Sequence, residues 1–309
     1  MPTCDIVIPA YNSAEVLPYT LKALFNQPIP QNWAVRLIIS DDGSSDTTLA
    51  TLKQRPAPSS WLPTITVTGP HTGVAGARNR GLAVARADIV LLLGADIIIT
   101  VGTLAAHLNF HAAHPHKLEG ALGMIKWDPR LSPTPFMEWM VHGGPQNNFD
   151  ALLGQTTADP ARFFYGSHIS LKKSLLLAQP FPEAYCSYGW EDTDLGRHLA
   201  SRGFTLHVLH NTLALHRHYY TVEDIRRRQY HVGRNLLVYQ KRYPNTELLP
   251  QQTICQKIKY QILTATPLAI FLHWLLARTA HAFSTPWLFS QITRADFWRG
   301  VQASNRLSP

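Results

Sequence analysis

The chain has 309 residues, 45% hydrophobic and 16% charged, which suits one large globular domain or one domain with an extension. Its three cysteines, Cys4, Cys186 and Cys255, show neither metal nor disulfide spacing, which argues against a cystine-stapled scaffold and for a reducing compartment. The net charge of +8 is uneven: 13 Lys/Arg and 4 Asp/Glu lie from Arg217 onward, against 15 and 16 before it, so the basic excess is either a solvated surface or a site for anionic lipid, glycan or nucleic acid.

Residues 5–9 read as a short apolar strand, with no basic n-region or cleavable signal pattern ahead of it. Asn12 and Glu15 have the spacing of a capping box, and Val16, Leu17, Leu21, Leu24 and Phe25 then form one helical face. A second strand is expected at 35–39, a helix at 45–54, a β-branched third strand at 64–68 and an Ala-rich helix at 74–87. The fourth strand, 89–93, is a continuous apolar run typical of a sheet covered on both faces. This alternation predicts an α/β fold with a mostly parallel, right-handed sheet. Past residue 100, prolines 129, 133, 135 and 145 interrupt a region rich in Trp, Phe and Met, where mixed strands and loops are expected; helices resume at 172–177, 193–202 and from 222 onward. Residues 262–277, with Pro267 inside and Lys257, Lys259 and Arg278 beside them, are too short to span a bilayer and read as an interfacial helix or a helix packed on the main domain.

Polar groups gather where the apolar runs stop. Strand one ends at Pro9-Ala10-Tyr11-Asn12, strand two at Asp41-Asp42-Gly43, strand three leads to His71-Thr72-Gly73, and strand four to Gly94-Ala95-Asp96. Parallel topology places all four at one edge, where open α/β sheets bind ligands. No dinucleotide Gly-x-Gly-x-x-Gly and no Gly-Lys-Ser/Thr phosphate loop is present, which disfavours hydride transfer and ATP hydrolysis of those kinds. His107, His111 and His114 share a helical face, a spacing that serves either metal binding or packing. Trp127, Phe136 and Trp139 suit sugar stacking or the core, and the core is the simpler role.

Val7-Ile8-Pro9-Ala10-Tyr11-Asn12, the acidic motif at 41–46, Gly76-Ala77-Arg78-Asn79-Arg80-Gly81, Asp96 and Gly189-Trp190-Glu191-Asp192 occur in an order that resembles the family 2 glycosyltransferases of GT-A fold, over residues 3–220. The resemblance implies a GT-A catalytic domain at 1–220, with a nucleotide-binding half at 1–100 and an acceptor half at 101–220, followed by a basic helical extension at 221–309. It implies transfer of one sugar from a nucleoside-diphosphate sugar, UDP by family habit with GDP and dTDP open. The acceptor would be a hydroxyl of a glycan or lipid-linked precursor, as in cell-wall or polysaccharide biosynthesis. The reaction would proceed with inversion and use Mn²⁺ or Mg²⁺. A retaining transferase and a non-catalytic nucleotide-sugar-binding protein are the alternatives.

By this resemblance Pro9, Ala10 and Tyr11 line the base pocket, and Glu15 with Asp41 or Asp42 binds ribose and base. Glu15 could instead cap its helix, and Asp42 could hold its turn. Arg78 and Asn79 correspond to the family's pair near the base, although Arg78 could also brace Asp41 or Asp42. The family's Asp-x-Asp stands here as Gly94-Ala95-Asp96, so Asp96 is left to face the metal, with His216 as its later histidine partner and His218 as the neighbouring choice. Asp192 is the general base and Glu191 positions the acceptor, although acids in a first helical turn also complement the helix dipole. Tyr165-Gly166-Ser167-His168 resembles the stretch ahead of the acceptor site. Arg226-Arg227-Arg228 could face a diphosphate or a phospholipid head group. The absence of Gln-x-x-Arg-Trp argues for single addition rather than a processive synthase. The protein is expected to be cytoplasmic, with peripheral contact to the inner face of the cytoplasmic membrane, and not to bind nucleic acid.

Overall fold

A computed structural model describes residues 1–54, 56–185, 188–244 and 285–305, with 253, 255, 256, 258, 260, 262, 271, 274, 275 and 279. Cys186 and most of the expected helix at 262–277, including Pro267 and His273, lie outside the described residues. In chain order the elements are β1 (Thr3–Ala10), α1 (Leu17–Phe25), β2 (Ala34–Asp41), α2 (Thr48–Lys53), β3 (Leu62–Thr68), α3 (Gly73–Val84), β4 (Ile89–Leu93), β5 (Ile97–Ile99), α4 (Thr103–Ala113), β6 (Glu119–Trp127), α5 (Pro135–Val141), β7 (Thr157–Ala158), α6 (Pro160–Phe163), β8 (His168–Lys172), α7 (Lys173–Ala178), α8 (Glu191–Ser201), β9 (Thr205–His216), α9 (Val222–Arg242) and α10 (Pro286–Asn305).

By its contacts the chain divides into two compact units. The first comprises residues 1–131, 149–183 and 191–218 and contains the nine-stranded sheet, in the order β3-β2-β1-β4-β8-β6-β9-β5, with β7 paired to β9. Pairings β1–β2, β2–β3, β1–β4 and β6–β9 are parallel, whereas β8 lies antiparallel between β4 and β6. β1, β2, β3, β4, β6 and β9 therefore share one direction, and β5, β7 and β8 oppose it. The parallel sheet expected from the alternating pattern is present.

β1, β2 and β4 are buried almost end to end, as a sheet covered on both faces requires. α1 buries Leu17, Leu21 and Leu24. α3 lies hard against β1, because a Cβ on Gly81 would come within 2.6 Å of Val7 Cγ1. Chain order reverses at β1, which has β2 on one side and β4 on the other. That switch point opens a crevice beyond the strand carboxyl ends, where Ala10 and Gly94–Asp96 fall. At the opposite edge, the buried Asp5 accepts two bonds from Arg36, at 2.9 and 2.7 Å, and the amides of Arg86 and Ala87. These bonds anchor the start of β1 to β2 and to the entry of β4.

The expected capping box at Asn12 and Glu15 does not form. α1 starts later, with Val16 at its N-cap and no side-chain cap. Asn12 has φ +47° and turns its Oδ1 to the amides of Ser45 and Asp46, tying the β1 exit to the β2 exit. Asp46 closes the acidic motif by accepting the amides of Ala14 and Thr48 at the start of α2.

The second unit comprises residues 132–148, 184–190 and 219–309. Thr221 and Asp224 form a reciprocal capping box at the start of α9. α9 and α10 approach at backbone distance: a Cβ on Gly233 would collide with Phe297 O, and one on Gly300 with Tyr230 O. Arg226 Nε donates to the fully buried Asp296 at 2.7 Å, binding the same two helices. Phe136 of α5 is buried against Phe289 of α10, so this aromatic is core. Among the described residues no helix is long and apolar enough to cross a membrane.

Candidate active site

The site is built at the carboxyl ends of the parallel strands. Pro9 is half-buried, Ala10 buried and Tyr11 exposed at the end of β1. The Tyr11 ring stacks on His71, with centroids 4.0 Å apart, and His71 Nδ1 lies 2.8 Å from Asp42 Oδ2. Glu15 is exposed just ahead of α1.

Asp41 and Asp42 are both buried, but their surroundings differ. Asp42 Oδ1 accepts the Thr72 amide at 3.0 Å and the Thr72 hydroxyl, and Oδ2 accepts the Gly73 amide at 2.8 Å. Its carboxylate thus satisfies the amino end of α3 from another strand, and that helix terminus is filled by the protein's own anion. Among the described residues, the Asp41 carboxylate receives only the Ser44 amide, at 3.3–3.4 Å. Gly43 makes the turn between these groups with φ +76°. A side chain there would be strained and would meet His71 N at 3.1 Å.

Arg80, not Arg78, braces the acidic turn, donating to Asp41 O at 3.0 Å and to Pro70 O at 3.0 Å, and approaching Asp42 Oδ1 at 3.5 Å. Arg78 is buried, and its Nη1 donates to Asp192 Oδ1 at 2.7 Å. Its guanidinium also lies 4.9 Å from the Phe181 ring centre. The Asn79 side chain is taken up by the loop after α7: its amide donates to Phe181 O and Glu183 Oε1 and accepts the Phe181 amide, pinning that loop to α3.

Asp192, on the first turn of α8, receives a second bond from the Gly166 amide, 2.9 Å from Oδ2. A Cβ on Gly166 would lie 2.7–2.8 Å from Arg78 and Asp192, so the Gly166 backbone reaches them only because it has no side chain. The Asp192 side chain keeps 26% exposure, and each oxygen keeps further acceptor capacity. Glu191 and Asp194 beside it are buried. Within the second unit, Trp190 takes φ +77° next to Gly189 at +100°. Its indole donates to Val232 O at 2.8 Å and packs on Tyr239. That side chain is an anchor on α9 rather than an open stacking surface.

Asp96 follows β4, and His216 ends β9. His216 Nε2 lies 3.1 Å from Asp96 Oδ2, and His218 Nδ1 lies 3.5 Å from the same oxygen. Burial alone would raise the Asp96 pKa, but the charge and hydrogen bonds of His216 and His218 carry it well below the usual carboxylate range. The group is therefore a carboxylate at neutral pH, as a cation ligand must be. Trp127 stacks on His216 at 5.1 Å and 16°, fixing the imidazole plane. Beside them the buried Asp128 is held by Arg130 and by Arg217 at 2.8 Å, and Arg217 in turn covers the Tyr19 ring at 4.0 Å. An oxygen donor and an imidazole are suitable ligands for Mn²⁺ and acceptable ones for Mg²⁺, so this pair fits the implied ion although Gly94 stands where the family has its first acid.

The helix face of three histidines divides. His107 and His111 enter the core around Ser170 Oγ, at 2.8 and 2.9 Å, with His107 also 3.2 Å from His168. His114 turns to Glu119. In the second unit all three arginines are engaged: Arg226 with Asp296, Arg228 with Gln146 and over the Tyr188 ring, and Arg227, 68% exposed, with Asp224 at 2.8 Å. Gly166, Arg80 and His71 are the site members that the motifs alone did not assign. All three lie within stretches already marked, but the Gly166 contribution is a backbone amide and carries no side-chain signal.

Among curated proteins, the chain is 26% identical over 271 residues to the uncharacterized glycosyltransferase YfnE of Bacillus subtilis, covering 72% of this chain and 67% of that one. It is 27% identical over 232 residues to validoxylamine A glucosyltransferase of Streptomyces hygroscopicus subsp. jinggangensis, covering 67% of this chain and only 54% of that one. Two solved structures share the fold. One is the mannosyltransferase PcManGT from Pyrobaculum calidifontis in complex with GDP-Man and Mn²⁺, at TM-score 0.61, 19% identity and 99% and 87% coverage of the two chains. The other is S. aureus TarS 1-349 in complex with UDP-GlcNAc, at TM-score 0.53, 18% identity and 99% and 92% coverage. The model of glycosyl transferase family 2 matches residues 5–165, the stretch that carries the switch-point crevice from β1 to the Gly166 turn. More than half of the chain fits that family on a GT-A sheet, and the protein belongs to glycosyl transferase family 2 as a sugar-transferring enzyme.

Proposed function

We propose that the protein moves one sugar from a UDP-sugar to a hydroxyl of a glycan or lipid-linked acceptor, with inversion, and that Asp192 is the general base. The carrying observation is the fixation of Asp192 by Arg78 at 2.7 Å and the Gly166 amide at 2.9 Å, with part of the carboxylate still open. Two bonds from separate elements set its orientation before an acceptor arrives, and positioning of this kind is a large share of catalytic power.

Pro9, Ala10 and Tyr11 form the base side of the donor pocket. Asp41, whose oxygens have acceptor capacity to spare, accepts from the base N–H, and Glu15 accepts from ribose hydroxyls. Asp42, Arg78 and Asn79 act on the donor side by holding the elements that carry the pocket. Asp96 and His216 would hold a divalent ion, Mn²⁺ or Mg²⁺. When bound, that ion neutralises negative charge on the leaving diphosphate. The acceptor oxygen attacks the anomeric carbon opposite the leaving group. The new C–O bond forms as the bond to diphosphate breaks, and the acceptor proton passes to Asp192. Glu191 positions the acceptor beside it. Support for the donor class comes from the fold relatives bound to UDP-GlcNAc and to GDP-Man with Mn²⁺.

The division of labour proposed along the chain is catalysis in 1–220 and acceptor or surface contact in 221–309. Peripheral attachment to an anionic cytoplasmic membrane face is supported by the basic excess of that region and by Trp287, 69% exposed. The test of the reaction is turnover and donor binding by the Asp192→Asn variant. Retained UDP-sugar binding with lost transfer supports the base assignment, and retained turnover removes it.

A further inference from the structure

At the other end of the sheet from the donor crevice, three ligand-type side chains converge from three elements. His114 is the C-cap of α4, Glu119 opens β6, and His207 lies near the start of β9. His114 Nδ1 lies 3.3 Å and His207 Nε2 3.2 Å from the same oxygen, Glu119 Oε1. One donor atom from each residue falls within 4.8 Å of both others.

The fold imposes this meeting. In the parallel β6–β9 ladder Glu119 is opposite Thr205, so His207 is its diagonal neighbour two residues on and on the same face. Phe110 orients the imidazoles: its ring stacks on His114 at 4.4 Å and 15° and packs against His207 at 5.1 Å. Burial would raise the Glu119 pKa, but the hydrogen bonds and charges of His114 and His207 bring it below its usual value, so an anion faces two imidazoles at neutral pH.

We propose that His114, Glu119 and His207 bind a zinc-class divalent ion that clamps the end of α4 to β6 and β9, independently of the catalytic site. The donor set of two nitrogens and one carboxylate oxygen with an open position is that of zinc sites. Magnesium and calcium prefer oxygen ligands throughout. Zinc bonds of about 2.0–2.1 Å in a tetrahedron separate ligand atoms by about 3.3 Å. The two observed separations, 3.3 and 3.2 Å, already match that edge. The third separation is within 4.8 Å, and each side chain is partly exposed, His114 the most at 38%. His207 and His216 lie opposite Ala121 and Trp127 of β6, six residues apart on that strand and so roughly 20 Å at the rise of extended chain, and no single ion serves both sites.

The test is titration of the untagged full chain with zinc chloride, with stoichiometry by calorimetry and thermal stability as a second readout. It is run on the Asp96→Ala background, where the proposed catalytic site is disabled, and compared with Asp96→Ala/His207→Asn and Asp96→Ala/Glu119→Gln. Retention of one zinc equivalent and a Tm rise of several degrees in Asp96→Ala, both lost in each double variant, are expected. Glu119→Gln preserves shape and decides the matter if His207→Asn does not fold. Equal zinc uptake and equal Tm rise in all three proteins, or no zinc uptake by Asp96→Ala, would overturn the proposal. Neither result depends on sugar transfer, so the clamp and the donor reading fail separately.

Discussion

Arg78 and Asp192, 114 residues apart in the chain, meet at 2.7 Å and join α3 to the start of α8. The Gly166 amide completes the arrangement from the turn before β8. Three separated motifs therefore converge on one carboxylate, and the first predictions concern that convergence.

Replacing Arg78 with Lys keeps a positive charge but not the planar, multi-donor guanidinium. Asp192 then loses its fixed orientation. The expected result is a kcat fall on the order of 10²-fold with little change in UDP-sugar affinity, measured by steady-state kinetics and calorimetry. A rise in KM alone, with kcat unchanged, would place Arg78 in donor binding instead.

Asp41 and Asp42 should separate experimentally. Asp42→Ala strips the N-terminal amides of α3 of their acceptor and should cost about 1–2 kcal/mol in chemical denaturation. Asp41→Asn should leave stability within about 0.5 kcal/mol and weaken UDP binding at least tenfold, because only its carboxylate has capacity left for a ligand. Reversal of these two results would exchange the roles.

The buried histidines set an acid limit on stability. Burial pushes the His168 pKa down to about 4, and burial together with the Lys172 charge pushes His111 down to about 3; His107 is also lowered, by burial and then by its histidine neighbours. In the unfolded chain each returns to near 6.5 and binds protons more readily than in the folded state. Their neutral packing is therefore fully stabilising above pH 6.5, and that contribution is lost as pH falls from 6.5 toward 4 and 3. His168 alone accounts for roughly 3 kcal/mol across that window. Melting of wild type and His168→Asn from pH 7.5 to 4.5 should show a shallower acid loss in the variant. Parallel pH profiles would assign the acid sensitivity elsewhere.

Much of the donor half was legible in the sequence, because strand ends in a parallel sheet share an edge and the acids at 41–42 and 96 mark those ends directly. Apolar period and β-branching also placed β1 to β4. Asn12 was misread because its spacing to Glu15 imitates a cap, while its left-handed backbone and its bonds to Ser45 and Asp46 are long-range properties. The identity of Asp192's partner was hidden for the same reason: local pattern cannot distinguish Arg78 from Arg80 when their acceptors are contributed by different elements. The bond from the Trp190 indole to Val232 is likewise a long-range property that the motif at 189–192 does not show. The grouping of Glu119 with His114 and His207 was invisible because β6–β9 register, not sequence spacing, creates it.

Calorimetry of UDP-, GDP- and dTDP-sugars with and without Mn²⁺, on wild type and Asp96→Ala, tests the central claim most directly. The account predicts selective UDP-sugar binding that Mn²⁺ strengthens in wild type and no longer strengthens in Asp96→Ala. Binding of no nucleotide sugar by the folded wild type, or identical Mn²⁺ enhancement in Asp96→Ala, would contradict it.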